Sequence, residues 1–203
     1  MSNIPPTFPD APQSQRPADP PNSIGIFYGS TTGATEHAAT IIRDLLGPLV
    51  SQCENVYKAN PDDLQNHDLL LLGISTWNIG DMQDDWFDFL PRIEHLDLTA
   101  TTVALFGLGD AYGYPYTFLD AMGKLWESIQ HLGSPKLVGT WPTEGYEFDE
   151  SMAIHDNDHF IGLGLDYDNQ PELTDERIAN WITKVRQETG LTEISDCARD
   201  LAS

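Results

Sequence analysis

Three short segments carry the residue types from which a ligand site could be built, each rich in glycine, hydroxyls or aromatics. The first, Gly29-Ser30-Thr31-Thr32-Gly33-Ala34-Thr35-Glu36, follows an apolar run and leads into a stretch with helical periodicity. Free amides at a helix N-terminus, together with Ser and Thr hydroxyls, form a cradle for phosphate. A Walker loop needs Lys and then Ser or Thr after its second glycine, and Ala34 stands in the Lys position; G-x-G-x-x-G spacing is missing as well. The ligand that suits such a loop is a terminal phosphate held by neutral donors. The alternative is an ordinary helix start, capped by Thr35 or a neighbour.

The second segment is Ser75-Thr76-Trp77-Asn78-Ile79-Gly80-Asp81, where Trp77 can offer a flat stacking face and Gly80 gives the backbone conformations closed to other residues. The third, Gly107-Leu108-Gly109-Asp110-Ala111-Tyr112-Gly113-Tyr114-Pro115, brings two tyrosines. An aromatic opposite Trp77 would complete a sandwich around a planar heterocycle, with main-chain amides and carbonyls reading its polar edge. Other candidate chemistry is weaker. His155 and His159, with Asp156 and Asp158 beside them, read as solvated side chains of an acidic loop rather than a metal site. Cys53 and Cys197 have neither disulfide-framework nor C-x-x-C spacing and read as two reduced thiols.

The segments act together only if the fold assembles them. Short β-rich apolar runs alternate with amphipathic stretches, a pattern that demands right-handed crossovers and a parallel sheet covered on both faces. Strands are predicted at Ile24 to Tyr28, Glu54 to Lys58, Leu69 to Ile74 and Val103 to Gly107, with a last one begun near Leu137 and resumed at Phe160 to Leu165. Helices are predicted from Thr35 to Leu46, with Ala38, Ile41, Ile42 and Leu45 on one face, and over Asp85 to Leu90, Tyr116 to Leu132 and Thr174 to Glu188, Gly190 closing the last. Trp141 to His159 reads as an irregular excursion inserted into the final strand. In such sheets ligands sit beyond the carboxyl ends of the strands, where each of the three segments falls.

The chain has 203 residues, with 10 Lys and Arg against 32 Asp and Glu and a formal net charge of −22. That surface repels phosphate backbones and anionic membranes, which argues against nucleic acid and lipid and for a basic protein partner; solubility alone could also account for it. No window approaches about 18 uninterrupted apolar residues, and a soluble, cytoplasmic protein without membrane insertion is expected. Residues 1–23, dense in proline and polar side chains, read as a disordered leader, residues 24–190 as one domain and residues 191–203 as an acidic tail.

The sequence resembles the long-chain flavodoxins. The resemblance runs from about Ile24 to Leu191 and rests on Ile24 to Glu36, Thr76 to Gly80, Gly107 to Tyr114 and Gly162-Leu-Gly-Leu-Asp-Tyr-Asp-Asn-Gln170. It implies a flavodoxin-like doubly wound five-stranded parallel sheet of order 2-1-3-4-5, with helices on both faces and the insertion in the last strand. It also implies one noncovalent FMN. Carried onto this chain, it assigns phosphate contacts to Ser30, Thr31, Thr32, Gly33, Ala34 and Thr35, and stacking on the isoalloxazine to Trp77 and Tyr114. It implies that the Asn78–Ile79 peptide flips on reduction, so that a carbonyl accepts from flavin N5 and stabilises the neutral semiquinone. Gly109 and Asp110 are expected near the pyrimidine side, and Thr76, Gly80, Gly107 and Tyr112 complete the expected cofactor-binding set.

The chain departs from the family at Ala34, where many members have Lys, and at Thr117, where some have Asn; Tyr112 is an added aromatic that competes with Tyr114 for the stacking role. The resemblance implies a low-potential, one-electron carrier rather than an enzyme, a monomer shuttling between semiquinone and hydroquinone. The surplus carboxylates Asp110, Asp166 and Asp168 would disfavour the anionic form. The implied partners are basic redox proteins such as ferredoxin-NADP reductase or photosystem I. An FMN-dependent NAD(P)H:quinone reductase is the alternative.

Overall fold

A computed structural model describes residues 21–191. The proposed leader, apart from residues 21–23, and the proposed tail after Leu191 lie outside the described residues. The chain runs β1 (Ile24–Tyr28), α1 (Ala34–Leu46), β2 (Val50–Asn55), β3 (Leu69–Trp77), β4 (Asp81–Met82), α2 (Asp84–Ile93), β5 (Thr102–Leu108) and α3 (Asp120–Gln130). It continues through β6 (Lys136–Val138), β7 (Trp141–Pro142), β8 (Ile154–Asp156), β9 (His159–Phe160), β10 (Leu163–Leu165) and α4 (Thr174–Thr189).

The central sheet is parallel in the order β2-β1-β3-β5-β10, and the short β4 folds back antiparallel on β3. β3 covers one edge of β5 along its whole length, so β6, on Thr102–Ala104, and β10, on Phe106–Leu108, share the other edge. They are two halves of one fifth strand. With β5 counted as the fourth, the order is the expected 2-1-3-4-5 with its insertion in the last strand.

Successive strand residues point to opposite faces, and the core divides accordingly. Leu70, Leu72, Ile74, Val103 and Leu105 pack with α2 and α3, while Leu69, Leu71, Ala104, Phe106 and Leu108 pack with α1 and α4. Both faces being covered, the middle strands are apolar without alternation, and each buried Leu stabilises the fold by about 1.5–3 kcal/mol.

Several boundaries differ from the sequence reading. β2 lies at Val50–Asn55, earlier than Glu54 to Lys58, because the edge strand begins straight after the short 3-10 turn Gly47–Leu49 and is half-exposed, which blurs its pattern. α3 starts at Asp120, not Tyr116: Leu119 sits at φ 62, and the Pro115 carbonyl accepts from the amides of Asp149 and Glu150. On α1 the buried face is Ala38, Ala39, Ile42 and Leu46, and Leu45 is exposed. The excursion forms its own three-stranded sheet, β7-β9-β8, which takes Phe160, so the fifth strand resumes only at Leu163. Phe118, Tyr146, Phe148 and Phe160 lock that sheet to the body, with ring centroids 5.2–5.9 Å apart, and Arg177 lies 4.0 Å over the Tyr146 ring.

Candidate functional site

A cleft of about 470 Å³ opens beyond the carboxyl ends of β3 and β5, and all three segments contribute to its wall. Thr32 and Ala34 come from the first, Ser75, Thr76, Trp77 and Asn78 from the second, and Leu108, Gly109, Asp110 and Tyr114 from the third. Thr117, Tyr167 and Asp168 close it.

The first segment forms a fixed loop. Gly33 sits at φ 91, a conformation costly for residues with a Cβ, and turns the chain into α1. Ser30 Oγ accepts from the amides of Gly33 (3.1 Å) and Glu36 (3.4 Å), so Ser30, and not Thr35, satisfies the start of the helix. Thr35 is buried in the first turn. Among the described residues, the amides of Thr31, Thr32, Ala34 and Thr35 meet no protein acceptor, leaving donors at the positive end of the α1 dipole.

Behind this loop stands Gln83, 1% exposed, which the sequence reading passed over. Its Nε2 donates to Thr31 Oγ1 at 3.2 Å and its Oε1 accepts from the Trp86 amide at 3.4 Å. A Cβ on Gly29 would overlap Gln83 Oε1 and approach Trp86 Cδ1 to 2.7 Å, so glycine is required there. Trp86 is fastened in turn, its Nε1 donating to the Gly73 carbonyl at 2.7 Å.

The aromatic wall is built differently. β3 runs on to Trp77, three residues past the predicted end, because Thr76 and Trp77 pair with Met82 and Asp81 of β4. Trp77 is therefore held on a strand rather than in a loop, and its Nε1 donates to Ser75 Oγ at 2.8 Å. Asn78 (φ 47) and Gly80 (φ 82) make the turn between the strands, and Asn78 Nδ2 donates to Asp81 Oδ2 at 3.0 Å.

Opposite, Asp110 organises the third segment. Its Oδ1 accepts from the Gly113 amide at 2.7 Å and from Asn169 Nδ2 at 2.9 Å, and Asn169 Nδ2 also reaches Asp166 at 2.9 Å. Partial burial alone would raise the Asp110 carboxyl; hydrogen bonds from Asn169 and the Gly113 and Tyr112 amides outweigh it and hold the group below its ordinary value. Tyr167 is pushed up to about 12 by burial and the nearby Asp175 charge, and its hydroxyl meets His37 Nδ1 at 3.2 Å.

Not every expected residue reaches the cleft wall. Tyr112 is 86% exposed and lies outside it, whereas Tyr114, 47% exposed, lines it. The Asp110–Gly113 turn carries Tyr114 back to the cleft and leaves Tyr112 outside it. Ile79 stays on the rim, 80% exposed, and Gly80 is buried against α3. Gly107 is a strand residue under Met122, and Ser30, Thr31, Gly33 and Thr35 shape the loop without lining this cleft. Asp166 is buried behind the wall, accepting from the Ala111 amide at 3.1 Å; only Asp110 and Asp168 of the three suspected carboxylates face the cleft.

The sequence profile of the flavodoxin family matches residues 26–181. The chain belongs to the flavodoxin family. It is 46% identical over 173 residues to a flavodoxin of Klebsiella pneumoniae, covering 85% of this chain and 98% of that one. To flavodoxin 1 of Escherichia coli K12 it is 45% identical over 170 residues, covering 84% and 96%. Among solved structures it is similar to a Fusobacterium nucleatum flavodoxin bound to flavin mononucleotide, with a TM-score of 0.76 and 33% identity, covering 82% and 98% of the two chains.

Of the residues that shape this flavodoxin cleft, Gln83, Tyr167 and Asn169 carry the weakest sequence signals. Asn169 and Tyr167 fall inside the matched Gly162–Gln170 stretch, but nothing in their spacing announces that one bridges two loops and the other lines the wall. Gln83 could have been found as a polar residue just before an amphipathic helix, in the N-cap position.

Proposed function

We propose that the cleft holds one noncovalent FMN and that the protein is a low-potential, one-electron carrier. Flavodoxins are electron-transfer proteins and this chain is one of them. The observation that carries it is convergence on one cleft: free amides of an α1 N-terminal loop at one end, Trp77 and Tyr114 at the other.

The donor set fits the group. Uncharged amides and hydroxyls of residues 30–35 suit a terminal phosphate, and two aromatic walls suit a planar three-ring system. When bound, FMN supplies the one-electron chemistry, and the chain supplies position and field. Thr32 and Ala34 present the phosphate end, Trp77 and Tyr114 the faces of the ring, and Gly109 and Asp110 its polar edge. Asp110 and Asp168 place negative charge along the wall, so uptake of the electron that makes the ring anionic is disfavoured, which lowers the potential.

The net charge of −22 favours basic redox partners such as ferredoxin-NADP reductase or photosystem I, by steering encounter without prolonging the complex. Two cysteines without disulfide spacing fit a reducing, cytoplasmic setting.

The test is a potentiometric titration of the purified chain with its released ligand identified. One FMN per chain and two separated one-electron steps are expected. Rapid turnover of NADH with a quinone in the absence of a separate reductase would move the protein to the reductase class.

A further inference from the structure

The chain has 32 carboxylates for 10 Lys and Arg, so a cation is expected to settle against a carboxylate. Lys124, half-buried on α3, does not. Among the described residues no carboxylate lies within 4.0 Å of its ammonium, which donates instead to the Gly80 carbonyl at 2.5 Å.

Gly80 ends the Asn78–Gly80 turn, and α3 is its seat. A Cβ there would come within 2.8 Å of Asp120 and 3.3 Å of Thr117. One turn earlier than Lys124, the Ala121 amide donates to Thr76 Oγ1 at 3.3 Å. α3 thus grips β3 just before Trp77 and the turn just after it. Between the two grips, a second hollow of about 530 Å³ shares Trp77 and Asn78 with the main cleft, and Lys124 is on its wall. Asn78 and Ile79 are exposed, so that part of the turn is held by hydrogen bonds, Asn78 to Asp81 and Lys124 to Gly80, more than by packing.

We propose that Lys124 is a positioning residue of the flavin cleft: bonded to the Gly80 carbonyl, it fixes the turn that carries Asn78 and sets a positive charge beside that wall. The proposal rests on the FMN reading above for its electronic part. Holding the turn preorganises the wall for the ring. The ammonium, set among Asp81 and Asp84 on the same hollow, favours the electron that makes the flavin anionic and moderates the opposing field of Asp110 and Asp168.

The experiment compares the full chain with Lys124→Met and Lys124→Arg, with Lys124→Gln in place of the Met variant if that one does not fold. Three quantities are read: amide hydrogen exchange of Ile79 to Asp81 without flavin, the FMN dissociation constant, and the two midpoint potentials. In Lys124→Met, exchange at the turn is expected to rise about tenfold. FMN binding is expected to weaken about threefold, and the equilibrium constant for the second electron to fall about fivefold. Lys124→Arg should restore the second potential. Unchanged exchange overturns the positioning role, and an unchanged second potential overturns the electronic one. A wild-type chain that takes up no FMN would overturn the function reading instead, and the exchange measurement would still test the hold on the turn.

Discussion

The two ends of the cleft are made from different materials. At the proposed phosphate end the available groups are main-chain amides, with Gly33 at φ 91, Ser30 bonding two neighbouring amides, and a buried Gln83 behind Thr31. At the ring end they are side chains on a strand tip and two turns, with Ile79 and Tyr114 exposed and Asn78 at φ 47. A rigid cradle suits a ligand group whose charge does not change, since preorganised donors need no rearrangement on binding. An exposed wall of turns can adjust when the bound ring changes charge, and a partner can reach it. On the proposed reading, the phosphate end would supply affinity and the ring end would set potential and access.

The largest expected effect comes from breaking the rigid end. Gly29→Val places side-chain atoms on Gln83 and Trp86, which hold the loop and the start of α2. Overpacking of this kind costs about 1–3 kcal/mol, measurable by urea denaturation of the flavin-free protein. FMN affinity should fall roughly 100-fold, because the donors are displaced and not merely weakened. At the ring end, Trp77→Ala should weaken FMN by roughly 10- to 100-fold, the range for loss of a stacked aromatic of 1–3 kcal/mol. Its effect on flavin-free stability should stay within about 1 kcal/mol, since the side chain is only half-buried. Tyr112→Ala should change FMN affinity less than about twofold. Fluorescence titration of the three variants separates the two ends: a Tyr112 effect equal to that of Trp77 would mean that the ring wall extends beyond the cleft.

Why one end was easier to read than the other follows from the same difference. The free amides of the loop at residues 29–36 were legible because small and hydroxyl residues before a helix announce them directly. The alternation of apolar strands and amphipathic helices likewise gave the parallel sheet, since burial on both faces leaves a long unbroken run at Leu69 to Ile74. The choice between Tyr112 and Tyr114 was not legible, because it depends on a turn fixed by Asp110 and Asn169, residues 59 positions apart. Edge strand β2 was misplaced because a half-exposed strand has a weak pattern, and the extension of β3 to Trp77 because its partner β4 is two residues long. Gln83 and Lys124 each reach across the fold by one hydrogen bond, to Thr31 and to Gly80, for which local sequence carries little signal.

The smallest expected effect sharpens how the ring end is held. The Asp110 carboxyl lies below its ordinary 3.8 because Asn169 and two amides donate to it, against the opposing pull of partial burial. A carboxyl depressed in the folded state contributes stability above its unfolded value, and that contribution is lost as pH falls through the folded value. The Gly113 amide, 2.7 Å from Asp110 Oδ1, is an NMR reporter of this titration, and in the wild type its midpoint should lie below 3.8. Asn169→Ala removes what is, among the described residues, the only side-chain donor to Asp110, together with its bridge to Asp166, so the midpoint should rise toward the ordinary value and the loops should loosen at a higher pH. Tyr114 would then lose part of its fixed position, and FMN binding should become more sensitive to acid in the variant than in the wild type. An unchanged Gly113 midpoint would mean that the turn's own amides hold Asp110, and that Asn169 contributes nothing to holding its charge.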